Sequence, residues 1–213
     1  GLIDPSVVRT DTTVVEANIH FPTDSSLPWD AWRVIARLLR RARERCGYPL
    51  DHRFHDEKVK GLHLFVTRYA RSTSKKRQRA VRSKFRTLLG RVRWIAGLAA
   101  SFCADVAGTL DFELAAIAQA LSDFLPSVHT VLDAAERAGM RGETVPASER
   151  VFSLFEPHVE LIKRGKRSKP VEFGHKVVLS QTRQRFITHF ETLVVQKPDN
   201  DLTGPALEDH KDT

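Results

Sequence analysis

The sequence has little sulfur: two cysteines, Cys46 and Cys103, and a single methionine, Met140. The cysteines lie far apart without C-x-x-C spacing. That excludes a disulfide framework or a zinc centre and reads as two thiols kept reduced in a cytoplasm. Long apolar runs are missing too. The longest candidate, around Ile95–Cys103, is too short to cross a bilayer, and the first residues lack the basic start and apolar block of a secretory signal. There is no Gly-rich phosphate loop, nucleophile elbow or zinc spacing, which sets aside several common enzyme classes. Acid is in deficit: 26 Asp and Glu stand against 34 Lys and Arg, a net charge of +8 with a pI near 9.8. Such a balance implies a polyanionic partner, nucleic acid first; the alternative is a merely soluble basic surface.

With 41% hydrophobic and 28% charged residues in 213, the composition is that of a folded chain with room for one or two domains. Both ends read as interior sequence. The chain opens on Gly1, and Leu202–Thr213 resembles a helix just beginning: Asn200 or Asp201 would cap it, Pro205 sits in its first turn, and Leu207 starts an apolar stripe. The expectation is a piece of a longer protein.

Three parts follow from the periodicity. Residues 7–19 are rich in β-branched side chains and read as a strand, closed by a loop over 20–28 with Pro22, Asp24, Ser25, Ser26 and Pro28. From Trp29 to about Gly142 the pattern is helical. Trp32, Ile35, Ala36, Leu39 and Ala42 form one apolar face, ended by Gly47 and Pro49. A second helical stretch begins near Glu57 with a break at Ser72–Ser74, and a third is expected from Asp105 through Val106, Leu110, Leu114, Ile117, Leu121 and Phe124. Pro126 would start or kink the next segment and Gly139 would stop it. From Val151 the period becomes two, giving strands at Val151–Phe155, Val171–Thr182 and Phe186–Gln196. The fold class expected is α/β, a sheet interrupted by a large all-α insertion, with parts at 1–28, 29–145 and 146–213. Early and late strands must then share one sheet.

The segment Asp11-Thr12-Thr13-Val14-Val15-Glu16-Ala17-Asn18-Ile19-His20-Phe21-Pro22-Thr23-Asp24-Ser25-Ser26 resembles the start of the catalytic domain of DDE-type insertion-sequence transposases, nearest to the ISNCY-like group. Phe152-Ser153-Leu154-Phe155-Glu156-Pro157-His158-Val159-Glu160-Leu161-Ile162-Lys163 and Glu172-Phe173-Gly174-His175-Lys176-Val177 resemble the same family, in the same order. The resemblance implies an RNase H-like sheet, here partial: a first strand with the first acid, two further antiparallel strands, a helix, then a strand with the second aspartate. It also implies DNA as partner, Mg2+ or Mn2+ as cofactor, a homo-oligomer in a transposition complex, no membrane, and a bacterial cytoplasmic, nucleoid-associated setting. The second and third acids of the family would lie beyond Thr213. The fragment would therefore be inert alone.

Strand transfer of that kind uses two divalent ions held by clustered carboxylates. The resemblance makes Asp11 the first catalytic acid and metal ligand. A carboxylate in so apolar and hydroxyl-rich a strand costs energy unless something compensates it; the plain alternative is an edge aspartate facing water. Asp24 reads as a loop aspartate making turn hydrogen bonds, and Glu16, five residues on, falls on the other face of a regular strand. Lys176 would contact the DNA backbone or position an attacking water, or is an exposed strand lysine. Lys163, Arg164 and Lys166, with Arg167 and Lys169, form a basic loop suited to phosphate.

The strongest charge signal lies in the insertion. Between Lys58 and Arg93 there are thirteen basic residues and no Asp or Glu. Lys75, Lys76, Arg77, Arg79, Arg82, Lys84 and Arg86 are the densest part and the expected DNA-binding stretch; the alternative is a solvated face. Phe85 and Trp94 could stack on bases, but at helical spacing they read as core. His55-Asp56 matches the metal-binding pair of HD phosphohydrolases over two residues only. The function expected is a transposase fragment. The rival is a non-enzymatic DNA-binding remnant able to interfere with an intact transposase, and a third reading is a decayed reading frame.

Overall fold

The helical pattern begins three residues before Trp29, because Thr23 and Ser26 cap one another. The Thr23 backbone N–H donates to Ser26 Oγ (2.9 Å) and the Ser26 N–H to Thr23 Oγ1 (3.0 Å), so two orphan donors of the first turn are satisfied reciprocally. Pro28 then sits in the first turn, where its missing N–H costs nothing. In the computed structural model, which describes residues 8–163 and 170–193, α1 therefore spans Ser26–Cys46. It buries Trp32, Ile35, Ala36, Leu39 and Ala42, the face read from the spacing, each no more than 2% exposed. Gly47 ends it with φ +66°, its N–H returning to the Ala42 carbonyl.

The rest of this helical unit, residues 21–158, comprises α2 (Asp56–Tyr69), α3 (Lys75–Asp105) and α4 (Phe112–Glu136). The break expected at Ser72–Ser74 separates α2 from α3. The helix expected from Asp105 begins instead at Phe112. There Asp111 caps it by accepting from the N–H groups of Glu113 (2.8 Å) and Leu114 (3.0 Å), while Val106 and Leu110 lie in the turn, Leu110 93% exposed. Helical spacing alone had not distinguished a connecting turn from a helix start.

Pro126 stands inside α4 without ending it. Leu125 and Val128 on either side are buried, so packing holds the turn that proline would open. A π-turn over Arg137–Arg141 follows, and the stop falls at Gly142, φ +73°, not at Gly139. A side chain at Gly139 would run into the buried ring of Phe85. Within the unit, α3 packs on α1, α2 and α4, and one continuous core holds Trp32, Ile35, Leu39, Leu88, Ile95, Phe102 and Leu121. Asp24, the loop aspartate, accepts from Arg150 Nη1 at 2.9 Å, joining the two ends of the unit.

The remaining unit, formed by residues before 21 and after 158, holds a four-stranded antiparallel sheet. Its strands are β1 (Val8–Glu16), β2 (Glu160–Lys163), β3 (Val171–Thr182) and β4 (Ile187–Thr192). β3 is central. β1 pairs along one side, from Val8–Thr182 to Glu16–Gly174, and β2 and β4 share the other. The early and late strands do share one sheet, and four helices with a small antiparallel sheet make an α/β chain.

Val151–Phe155 is not a strand. Ser153 Oγ accepts from the N–H groups of Phe155 (3.2 Å) and Glu156 (3.1 Å), a serine turn that competes with extended pairing, and Leu154 joins the helical core. The strand lies further on, at β2. In β4, Arg185 takes φ +66° in the preceding turn; the expected continuation from Val194 to Gln196 lies outside the described residues, as does the helix expected after Leu202.

At Gly174 β1 leaves no room for a side chain: a Cβ there would meet the Val15 carbonyl oxygen and Glu16 Cα, both backbone. Backbone inside a ladder cannot step aside as a side-chain tip can. Gly174→Ala is expected to destabilise the sheet by about 1–3 kcal/mol, measured by urea unfolding; a variant as stable as the parent would mean that the β1–β3 register is wrong.

Candidate nucleic-acid interface

The basic run folds into the most one-sided element of the helical unit. With 31 residues, α3 is about 46 Å long. Phe85, Leu88, Leu89, Val92, Ile95, Ala96, Ala99 and Phe102 form its buried stripe, while the seven of its residues expected to bind DNA, Lys75 to Arg86, are exposed. Helical spacing sorts the cations further. Lys75, Arg79, Arg82, Arg86 and Arg93 form one row, on the side of α4. Arg77, Lys84 and Arg91 form a second, on the side of α2, with Lys76 and Trp94 on the outermost line between.

Two members of the first row have structural work. Arg82 Nη2 donates to the Met140 carbonyl at 2.7 Å, and Arg93 pairs with Glu136. In the second row, Arg77 lies over the Tyr69 ring at 5.2 Å. Among the described residues, none of Lys75, Lys76, Arg77, Arg79, Arg82, Lys84 or Arg86 has a carboxylate partner. The contrast with α1 is sharp: Arg33, Arg40, Arg41, Arg43 and Arg45 all meet carboxylates. Lys75, Lys76 and Arg77 also fill the first turn of α3, which has no acid, so their charge opposes the positive end of the helix dipole. A sequence selected for stability alone would put acids there.

Between α2 and α3 lies a cavity of about 430 Å³, rimmed by Arg53, Lys58, Lys84 and Arg91 and lined by Phe65 and Trp94. Trp94 stacks on Trp32 with ring centres 6.2 Å apart and 28° between planes, yet stays 41% exposed. It is neither plain core nor fully free. Phe85, by contrast, is buried. Reading the basic run as one stripe did not separate the two rows, and Arg53, outside the run, carried no signal of its own. The His55-Asp56 doublet is structural at its aspartate, which accepts from Trp32 Nε1 (2.9 Å) and Arg40 Nη2 (2.7 Å).

In the sheet, Asp11 sits mid-strand on β1, opposite Leu179 of β3. Its carboxylate accepts from the Thr12 backbone N–H at 2.8 Å and lies 3.8 Å from Arg9 Nη2, with two thirds of the side chain exposed (67%). Residues directly opposite in an antiparallel sheet share a face. Glu16 and Glu160 pair with Gly174, Glu191 pairs with Val178, and Glu172 shares their parity. All four glutamates therefore face away from Asp11. Lys176, opposite Val14, also takes the other face, so it and Asp11 do not converge. Lys163 pairs with Val171, eight residues along β3 from Leu179, or about 26 Å. Arg164 and Lys166 lie outside the described residues. Among those described, no three His, Cys, Asp or Glu side chains come together to hold a metal ion, and no helix is long and apolar enough to cross a membrane.

No protein-family model, curated protein or solved structure matches the chain.

The division of labour on α3 is measurable. Arg82→Ala and Arg93→Ala should each cost about 1 kcal/mol of stability through the lost hydrogen bond or ion pair, lowering the melting temperature by a few degrees. Arg79→Ala and Arg86→Ala should stay within about 0.5 kcal/mol of the parent. Equal melting of all four variants would show that the two partnered arginines are not structural.

Proposed function

We propose that this chain acts on DNA as part of a DDE-type transposase, with α3 of its helical unit gripping the phosphate backbone. The observation that carries the proposal is the cluster of seven exposed cations without a carboxylate partner among the described residues, in a protein where five of the six α1 arginines, all but Arg37, meet acids. Such a surface repels itself until a polyanion neutralises it. Phosphate contacts of this kind position a protein on DNA without reading its sequence. The transposase part of the proposal draws on the resemblance at Asp11–Ser26, Phe152–Lys163 and Glu172–Val177. Support for an RNase H-like arrangement is that β1 carries Asp11 mid-strand, that the antiparallel β3 and β4 follow, and that β1 has one neighbour among the described strands, leaving its outer edge open there to a further strand. The short β2 has no counterpart in that plan.

Cleavage and joining at insertion-sequence ends would need a pair of Mg2+ or Mn2+ ions, and such ions take oxygen ligands from several carboxylates. The described residues do not fit that requirement: Asp11 has no second carboxylate on its face, and its nearest charged neighbour is Arg9. The remaining acids would have to come from outside the described residues. That same isolation favours the second reading, a DNA-binding remnant without chemistry that competes with an intact transposase for its sites.

Two measurements test the proposal. Affinity for a random-sequence duplex should fall steeply with salt, and removing Lys75, Arg79 and Arg86 together by alanine substitution should flatten the log–log slope by about 2–3. Binding indifferent to salt, or unchanged in that variant, would sink the DNA interface. Supercoiled plasmid incubated with the protein and Mg2+ should stay intact; nicking that vanishes in Asp11→Asn would show instead that the chain is active alone.

A further inference from the structure

The cavity between α2 and α3 is built differently from the cationic row facing α4. Its rim carries Arg53 and Lys58 on one side and Lys84 and Arg91 on the other, and its lining includes the Phe65 and Trp94 rings. Among the described residues none of the four cations has a carboxylate partner, and no Asp or Glu lines the cavity. At about 430 Å³ it lies toward the small end of ligand sites, roughly 300–1,000 Å³. Backbone binding needs no such cavity, since phosphates are met by exposed side chains on a convex helix. A flat aromatic surface ringed by cations fits a flat ring joined to phosphate.

Trp94 is placed to supply that surface. Trp32 stacks beside it, His52 stands perpendicular to it with ring centres 5.3 Å apart and planes at 85°, and Phe54 lies tilted against it at 6.4 Å. The indole is thus braced by neighbours, yet 41% exposed. Trp32 is spent: 2% exposed, its N–H given to Asp56. An indole held in place loses little freedom when a base stacks on it, and every base offers a π-face, so the site needs no sequence.

Resting on the DNA reading above, we infer that this cavity seats one unstacked nucleotide of single-stranded DNA, its base against Trp94 and its phosphates between Lys84, Arg91 and the Arg53–Lys58 side. The protein would then hold duplex DNA through the row facing α4 and an unpaired strand through the cavity. The occupant is set by charge complementarity: four cations and no acid exclude a cationic or neutral ring as the preferred guest, and the lining rings exclude inorganic phosphate as sufficient.

The test compares three DNAs: an oligodeoxythymidylate, an abasic strand of equal length and charge, and a blunt random-sequence duplex. Wild-type protein should bind oligodeoxythymidylate about tenfold or more tighter than the abasic strand, with quenching of tryptophan fluorescence. Trp94→Ala should abolish the preference and Trp94→Phe should keep most of it, with duplex affinity within twofold of wild type in both. Because Trp94→Ala removes a ring that stacks on the core, Arg53→Glu serves as a second variant at an exposed loop position; it should weaken both single strands severalfold and spare the duplex. Equal binding of base-bearing and abasic strands, or a preference that survives Trp94→Ala, overturns the nucleotide site while duplex binding leaves the DNA reading standing. Failure to bind any of the three overturns both.

Discussion

The helical unit depends on one constraint: α3 must bury a continuous apolar stripe while keeping a dense set of cations on its remaining surface. The stripe from Phe85 to Phe102 is the common wall against which α1, α2 and α4 pack. Burying a large apolar side chain stabilises by about 1.5–3 kcal/mol, and this collective term tolerates the repulsion among the cations. The unfavourable first turn of Lys75, Lys76 and Arg77 is tolerated in the same way: the dipole penalty is about 0.3–1 kcal/mol per charge and is screened by salt. Packing outweighs it comfortably. The charge pattern is therefore free to serve a partner, within limits set where α3 meets α4. There Arg82 and Arg93 are drawn into holding Met140 and Glu136, and they are less available to an external anion than Arg79 and Arg86.

How much of this was legible in the sequence depended on whether a signal was local. The buried face of α1, the break before α3 and the extent of β3 were read correctly because each rests on spacing or turn chemistry within a few residues. The misreadings share a cause: the deciding partner lay elsewhere. Val151–Phe155 alternates like a strand, but Ser153 turns the chain and Leu154 packs on the helical core. Helical spacing from Asp105 onward ignored the cap at Asp111, and Pro126, read as starting or kinking a segment, does not start one but lies inside α4. The cationic run was plain from composition. Its division into two rows, one turned partly to structural use and one rimming a cavity with Trp94, required the neighbouring helices.

The sheet shows the opposite balance. Among the described residues it has as its own core cluster only Val178 and Leu193, while Phe186, Ile187 and Phe190 remain exposed. A small sheet needs one well-covered apolar face to be stable. These strands therefore gain little from each other beyond their hydrogen bonds, and the edge of β1, open among the described strands, leaves backbone groups for another strand. The Thr12 N–H finds a substitute in the Asp11 carboxylate, and Arg9 and Asp11 place charge on that strand, both of which blunt an edge. An aspartate used in this way is accounted for without any metal, which is why the parity of the four glutamates matters more than Asp11 itself.

That parity bears on which functional reading the chain can sustain. A two-metal site cannot be assembled on the face Asp11 occupies by repacking side chains, because moving any of the four glutamates to that face requires a one-residue register slip, and a slip inverts every other side chain of its strand as well. In β3 it would expose Val178 and Ser180, buried at 1% and 0%. A further carboxylate on that face does not come from a rearrangement within the four described strands. The helical unit has no such dependence, since its core is closed by its own helices and its cations already face solvent. DNA binding by α3 therefore stands or falls independently of Asp11, and catalysis requires sequence that these four strands do not contain.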